Sequence, residues 1–235
     1  MNLHWNSSKV IRNLFLFVGL LLIGHLLTIV LLVNYPSASI EGSIYNKIVA
    51  LFNFNLEANL PTFFSALLLL GNGILLTCIT TGHKNSGRKY LHWVGMAFVF
   101  CLLSIDEMIK IHEHLRIPTE KLLNTSGFFK YAWFIPYGII IVILGIIYFK
   151  FFMSLPKSIL KLFIISAFLF ISGAVVMEGI SGIQEENYGV NNLGYYVMYT
   201  IEELLEMSGS ILFFYALLNY IAMTFEKVIF TVKKV

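Results

Sequence analysis

Six apolar runs, near 11–33, 61–80, 90–111, 131–152, 158–179 and 196–222, leave this chain few ways to fold. At about 1.5 Å per residue, each is long enough to cross a hydrocarbon core of about 30 Å. A backbone in hydrocarbon has to satisfy its own hydrogen bonds, and a run of this kind does so as a helix. The expected fold is all-α: a polytopic membrane protein with a six-transmembrane-helix bundle, formed by residues 1–235 as a single integral membrane domain. Composition agrees, because 12% of the residues are charged against roughly 25% in a soluble domain. The first run is too long for the apolar region of a signal peptide and lacks a small-residue cleavage site, so it reads as a span. Cys78 and Cys101 both fall inside apolar runs, which excludes a disulfide framework or a cysteine zinc site. No repeat and no low-complexity tract is evident.

Basic residues set the orientation. Lys9 and Arg12 precede span 1, and Lys84, Arg88 and Lys89 lie between spans 2 and 3. Lys150, Lys157 and Lys161 flank the turn between spans 4 and 5, and Lys227, Lys233 and Lys234 follow span 6. All fall on one side if both termini are cytoplasmic. Of the 13 acids only Glu226 shares that side. The positive-inside rule explains the basic face. It does not explain the acidic one, since acids contribute little to topology. The basic loops are too short and dispersed to form a nucleic-acid surface.

Several acids of the other side sit on the apolar runs themselves. Glu57, expected outside the loops, stands just before Pro61, a good first-turn residue for span 2. Asp106, Glu107 and Glu113 belong to SIDEMIKIHEHL (104–115) at the end of span 3, Glu178 ends span 5, and Glu202, Glu203 and Glu206 lie about two turns into span 6. At about 100° per residue, Glu202, Glu203 and Glu206 share one helix face. On a regular span 3, so do Asp106, Glu107, Lys110, Glu113 and His114, with His112 turned away. Pro118 is the expected place for that helix to end or loosen.

A charge within a membrane costs several kcal/mol unless it is paired or hydrated. Three glutamates on one face call for protonation, for Lys110, or for a bound cation. Hard and borderline cations take carboxylate oxygens, with imidazole filling in for iron, manganese or zinc, and carboxylate-rich metal sites are built inside helix bundles from several helices at once. Neither Glu-x-x-His nor His-Glu-x-x-His occurs. Two further readings of the same acids stand beside metal binding: solvated helix ends, and a buried polar network without chemistry.

The stretches LEANLPTFFSALLLL (56–70), SIDEMIKIHEHL, WFIPYG (133–138), SGAVVMEGISG (172–182) and IEELLEMSGSILFFYALLNYI (201–221) resemble an uncharacterised family of bacterial multi-pass membrane proteins with S-[IL]-D-E…H-E and E-E-x-x-E-M-x-G motifs. In that pattern His112 and Glu113 are the paired residues, whereas the helical wheel favours His114. The resemblance supplies residues but no reaction.

The expected metal ligands are Glu107, His112, Glu178, Glu202 and Glu206, with His114 the alternative imidazole. Asp106, Glu113 and Glu203 would be supporting acids or a general base, and Lys110 would pair with a carboxylate or steady a developing negative charge. A carboxylate-rich donor set favours iron or manganese over zinc, which recruits more His or Cys. The expected function is a metal-dependent enzyme of the bacterial inner membrane acting on a lipid or lipid-linked substrate, with hydrolysis and oxidation both open. The alternatives are a cation or proton transporter, an extracytoplasmic cation sensor, and a structural partner in a membrane complex.

Elsewhere, His25 and Asn72 are expected to hydrogen-bond across helices, and Gly71, Gly73, Gly173, Ala174 and Ser208 to Ser210 to be small-residue contacts. Trp133 and Tyr137 read as interfacial aromatics. Residues 44–60 read as an amphipathic segment on the membrane surface.

Overall fold

The computed structural model describes residues 6–34 and 43–225. Glu41, Glu226, Lys227, Lys233 and Lys234, which enter the charge distribution above, lie outside the described residues. The described residues form helices and connecting turns, with no strand among them. Six helices are long and apolar enough to cross a membrane: Ser7–Asn34, Leu60–Asn85, Leu91–Ile109, Phe134–Met153, Lys157–Tyr188 and Leu193–Thr224.

In chain order the helices are α1 (Ser7–Asn34), α2 (Ile44–Phe52), α3 (Leu60–Asn85), α4 (Leu91–Ile109), α5 (Ile111–Leu123), α6 (Phe134–Met153), α7 (Lys157–Ile171), α8 (Glu178–Tyr188) and α9 (Leu193–Thr224). A 3₁₀ turn, Gly127–Phe129, precedes α6, and a π-helical segment, Ser172–Met177, joins α7 to α8 in one continuous rod. Local chemistry starts these helices where the chain needs them. The Asn59 side chain accepts the Thr62 N–H at 3.1 Å and Pro61 sits in the first turn of α3. Asn192 accepts the Tyr195 N–H at 2.9 Å at the start of α9.

Helix α9 is the hub. It packs on α1, α3, α7, the π segment and α8, while α3 and α4 lie against each other as an antiparallel pair. One core cluster joins Leu76, Trp93, Phe163, Phe213 and Leu217 at one end of the bundle, and a second joins Leu21, Leu68, Tyr195, Tyr199 and Ile211 nearer the other. Between apolar helices, close approach and a few hydrogen bonds supply the contacts. Ser166 Oγ donates to the Gly209 carbonyl at 2.7 Å. A Cβ built on Gly209 would sit 2.7 Å from Phe170 N, so only glycine fits that crossing. Asn72 Nδ2 donates to Ser210 Oγ at 3.0 Å and links α3 to α9.

Two boundaries differ from the sequence reading. The span expected over 90–111 stops at Ile109, and α5 sets off separately at Ile111. Pro118 lies inside α5 without ending it. The span expected over 158–179 continues through the π segment to Tyr188, so Glu178 begins a helical stretch rather than ending one.

Candidate functional site

The break between α4 and α5 builds one wall of the site. Lys110 takes a left-handed conformation, φ 61° and ψ 46°, which a non-glycine residue seldom adopts. The kink leaves the first N–H groups of α5 without helical partners, and the Asp106 carboxylate fills the gap. Asp106 Oδ1 accepts the His112 N–H at 2.9 Å, and Oδ2 lies 3.1 Å from His112 Nδ1. The break therefore swings His112 back toward Asp106. His114 lies exposed, with its Nδ1 2.7 Å from the Lys110 carbonyl. A regular helix would have reversed the two, which is why the helical wheel pointed to His114.

A second wall comes from residues 53–59. Glu57 was expected outside the loops, but it lies in this irregular segment ahead of α3. Its Oε2 lies 2.7 Å from Lys110 Nζ and its Oε1 3.6 Å from His112 Nε2. Fully buried His25 holds the segment in place. Its Nδ1 accepts the Phe54 N–H at 3.2 Å, and its ring stacks on Phe54 at 4.2 Å. That contact fixes the tautomer, so Nε2 donates to Thr200 Oγ1 at 2.9 Å. His25 thus ties α1 and α9 to the segment that carries Glu57.

The third wall is α8 packed on α9. Glu178 follows directly on the π segment, a helical irregularity that recurs at functional sites. At Gly173 the segment approaches α9 so closely that an added Cβ would lie 2.7 Å from the Glu202 carbonyl and from Glu206 Cγ. Trp133 Nε1 donates to Glu178 Oε1 at 2.6 Å, Ser181 Oγ donates to Glu202 Oε2 at 3.3 Å, and the Tyr137 hydroxyl donates to Asp106 Oδ1 at 3.1 Å. Trp133 and Tyr137, read from the sequence as interfacial aromatics, thus donate to site carboxylates. Nothing in their spacing signals this, since it depends on where α6 packs.

All nine candidate residues line one cavity of about 1130 Å³: Asp106, Glu107, Lys110, His112, Glu113, Glu178, Glu202, Glu203 and Glu206, and Glu57 joins them. The glutamates face this space rather than packed side chains. Glu107 and Glu206 also border a small void beside Ser65 and Ser210. Among the described residues, no protein donor or cation is placed on the carboxylates of Glu107, Glu203 or Glu206. Farther from the acids the walls become apolar, with Phe100, Leu144, Phe152, Leu160 and Phe163 among them.

The groups outside the long helices show the electrostatics. Burial alone would lower the His112 pKa, but hydrogen bonding to Asp106 and Glu57 pushes it up to about 10. Burial alone would raise Glu57, but His112 and Lys110 hold its carboxyl below the usual value. The His112 and Glu57 charges at the mouth are thus stabilised by their neighbours, while Glu107, Glu203 and Glu206 have no such partner among the described residues.

The donor set suits a hard or borderline cation: carboxylate oxygens from three walls and one imidazole. One ligand atom from each of Glu57, His112 and Glu113 lies within 4.8 Å of the other two. Of these, Glu57 was recognised in the sequence as one of the converging acids but not as a ligand. With Nδ1 directed to Asp106, His112 has the carboxylate–histidine arrangement that leaves Nε2 for a metal.

The chain matches, over residues 14–221, the model of a family described as Domain of unknown function (DUF8692). No curated protein and no solved structure matches it.

Proposed function

The chain belongs to the DUF8692 family, and we propose that it is an integral membrane, metal-dependent enzyme acting on a lipid or lipid-linked substrate. The observation that carries this reading is the single cavity, which joins a carboxylate and imidazole cluster to an apolar arm. A site for a hydrophilic substrate has no need of the arm, and a purely structural network would leave no space between its members. Six helices long and apolar enough to cross a membrane support the setting. Lys84, Arg88, Lys89, Lys150, Lys157 and Lys161 flank the α3–α4 and α6–α7 turns, at the end opposite the acids. By the positive-inside rule that end is cytoplasmic, both termini are cytoplasmic, and the acids face the extracytoplasmic side of a bacterial inner membrane.

Glu57, His112 and Glu113 stand close enough to share one ion at the mouth, and Glu107, Glu178, Glu202 and Glu206, on the same cavity, would be the ligands deeper in it. Iron or manganese fits this set better than zinc. A divalent ion there would polarise a substrate oxygen or lower the pKa of a bound water. The chain's own residues do the rest. Asp106 holds His112 by ring and backbone. Trp133 orients the Glu178 carboxylate through its Nε1–H. Lys110 neutralises Glu57. Glu203, with no donor from the described residues, is the carboxylate left to accept a proton from a water or a substrate hydroxyl. Transport of a cation or proton is the weaker reading, because the arm offers apolar and aromatic walls where a conduction path needs polar groups.

Two measurements bear on this. Metal-stripped protein in detergent should gain thermal stability on addition of Mn²⁺ or of Fe²⁺ without oxygen, and a midpoint unmoved by either would sink the metal assignment. In a Cys78→Ser/Cys101→Ser background, Asn187→Cys should react with an impermeant thiol reagent applied to intact cells. Labelling only after lysis would overturn the orientation.

A further inference from the structure

Helix α6 stands away from the bundle along its middle. Its ends are fixed: Trp133 and Tyr137 hydrogen-bond to Glu178 and Asp106, and the Tyr148 hydroxyl donates to the His92 carbonyl at 3.1 Å. Phe151 meets Trp93 edge-on at a centroid distance of 5.0 Å. Between these anchors α6 packs closely on no other helix. Ile139, Ile140, Ile141, Val142, Ile143 and Ile146 are 40–73% exposed, so the exposure runs around the whole circumference, including the side of Ile140, Ile141 and Leu144 that lines the cavity. An apolar helix fixed at both ends and bare on its inner side leaves a slot between itself and the rest of the bundle.

We infer that this slot holds one acyl chain of a membrane lipid, which enters sideways past α6 with its head at the Glu–His cluster. The inference deepens the proposed function and rests on it for the head group but not for the chain. Three observations support it. The slot and the acidic site are one continuous cavity, polar at one end only, which is the shape of an amphiphile. The slot wall on α7 runs from Leu160 to Ile171, about 16 Å at 1.5 Å per residue. The same rod lines the cavity on through Val175 to Glu178, about 27 Å in all from Leu160 and most of a 30 Å hydrocarbon core, so the cavity has the length for one extended chain running inward from the cluster. The open side lets a second chain stay outside. The head is also constrained. An amine-bearing zwitterion brings its own cation to the carboxylates, whether or not a metal already neutralises some of them.

The test uses the full chain in vesicles that contain a phosphatidylethanolamine with a photoactivatable diazirine in one acyl chain, with labelled residues mapped by mass spectrometry. The expected result is labelling of slot-lining residues such as Leu144 and Ala167, besides outward residues such as Phe168. Ala167→Phe, or Leu144→Phe if that variant does not fold, should lower labelling inside the slot at least fivefold and leave Phe168 unchanged. Labelling confined to outward residues in the unsubstituted protein, or slot labelling indifferent to both substitutions, would overturn the inference. The metal reading is separable. Slot labelling in a protein that retains no metal keeps the acyl-chain site and removes the metal enzyme. Metal retention with no slot labelling does the reverse.

Discussion

Gly173→Val is expected to lower stability by about 3 kcal/mol, the upper part of the usual range for overpacking a tight contact, and, if the site holds the proposed metal, to release it. The Cβ of any residue here would lie 2.7 Å from the Glu202 carbonyl oxygen, 2.7 Å from Glu206 Cγ and 3.1 Å from the Glu206 backbone nitrogen. Two of these atoms are helix backbone and cannot yield without moving α9. The third belongs to a proposed ligand, so even a small adjustment displaces it. The π segment and α9 must therefore separate at the depth where the carboxylates meet. Gly19→Val serves as the control, because nothing lies within 4 Å of a Cβ there. Thermal unfolding in detergent together with metal content reads both effects. A Gly173→Val protein with an unshifted midpoint would show that the π segment does not pack on α9 in this way.

On the proposed metal site, Asp106→Asn is expected to lower metal affinity by about 10- to 100-fold, the usual cost of losing the group that orients a ligating histidine. The carboxylate holds His112 twice, through the backbone N–H at 2.9 Å and through Nδ1 at 3.1 Å. An amide can keep one of these contacts, but it cannot supply the negative charge that raises the basicity of the imidazole. His112→Ala should abolish tight binding, while His114→Ala should change it less than twofold, because His114 is exposed and bonded only within its own helix turn. Competition against a fluorescent chelator measures all three. If His114→Ala were the damaging substitution and Asp106→Asn harmless, the geometry around the α4–α5 break would be wrong.

The six long helices were legible because runs of about 20 apolar residues have few alternatives. The convergence of acids was legible because Glu202, Glu203 and Glu206 share a face at helical spacing whatever surrounds them. The choice between His112 and His114 was not. It turns on Lys110 entering left-handed space, φ 61°, at a position with no glycine or proline to announce it. Pro118, the residue that did signal a break, is accommodated inside α5. The π segment was hidden for a similar reason: Ser172–Met177 reads as ordinary apolar helix, and only its packing on α9 through Gly173 gives it purpose. Glu57 was visible as an acid near the site. Its place beside Lys110 and His112 depends on a segment held by buried His25, through contacts with Phe54 and Thr200 that are far apart in the chain.

The most direct test of the central claim is elemental analysis of the purified, detergent-solubilised protein beside a Glu202→Ala/Glu206→Ala variant. The account predicts iron or manganese in near-stoichiometric amount, lost in the variant while its helical content stays unchanged. Absence of metal from both proteins, after purification without chelators, would contradict it and leave the carboxylates as a protonated or hydrogen-bonded network.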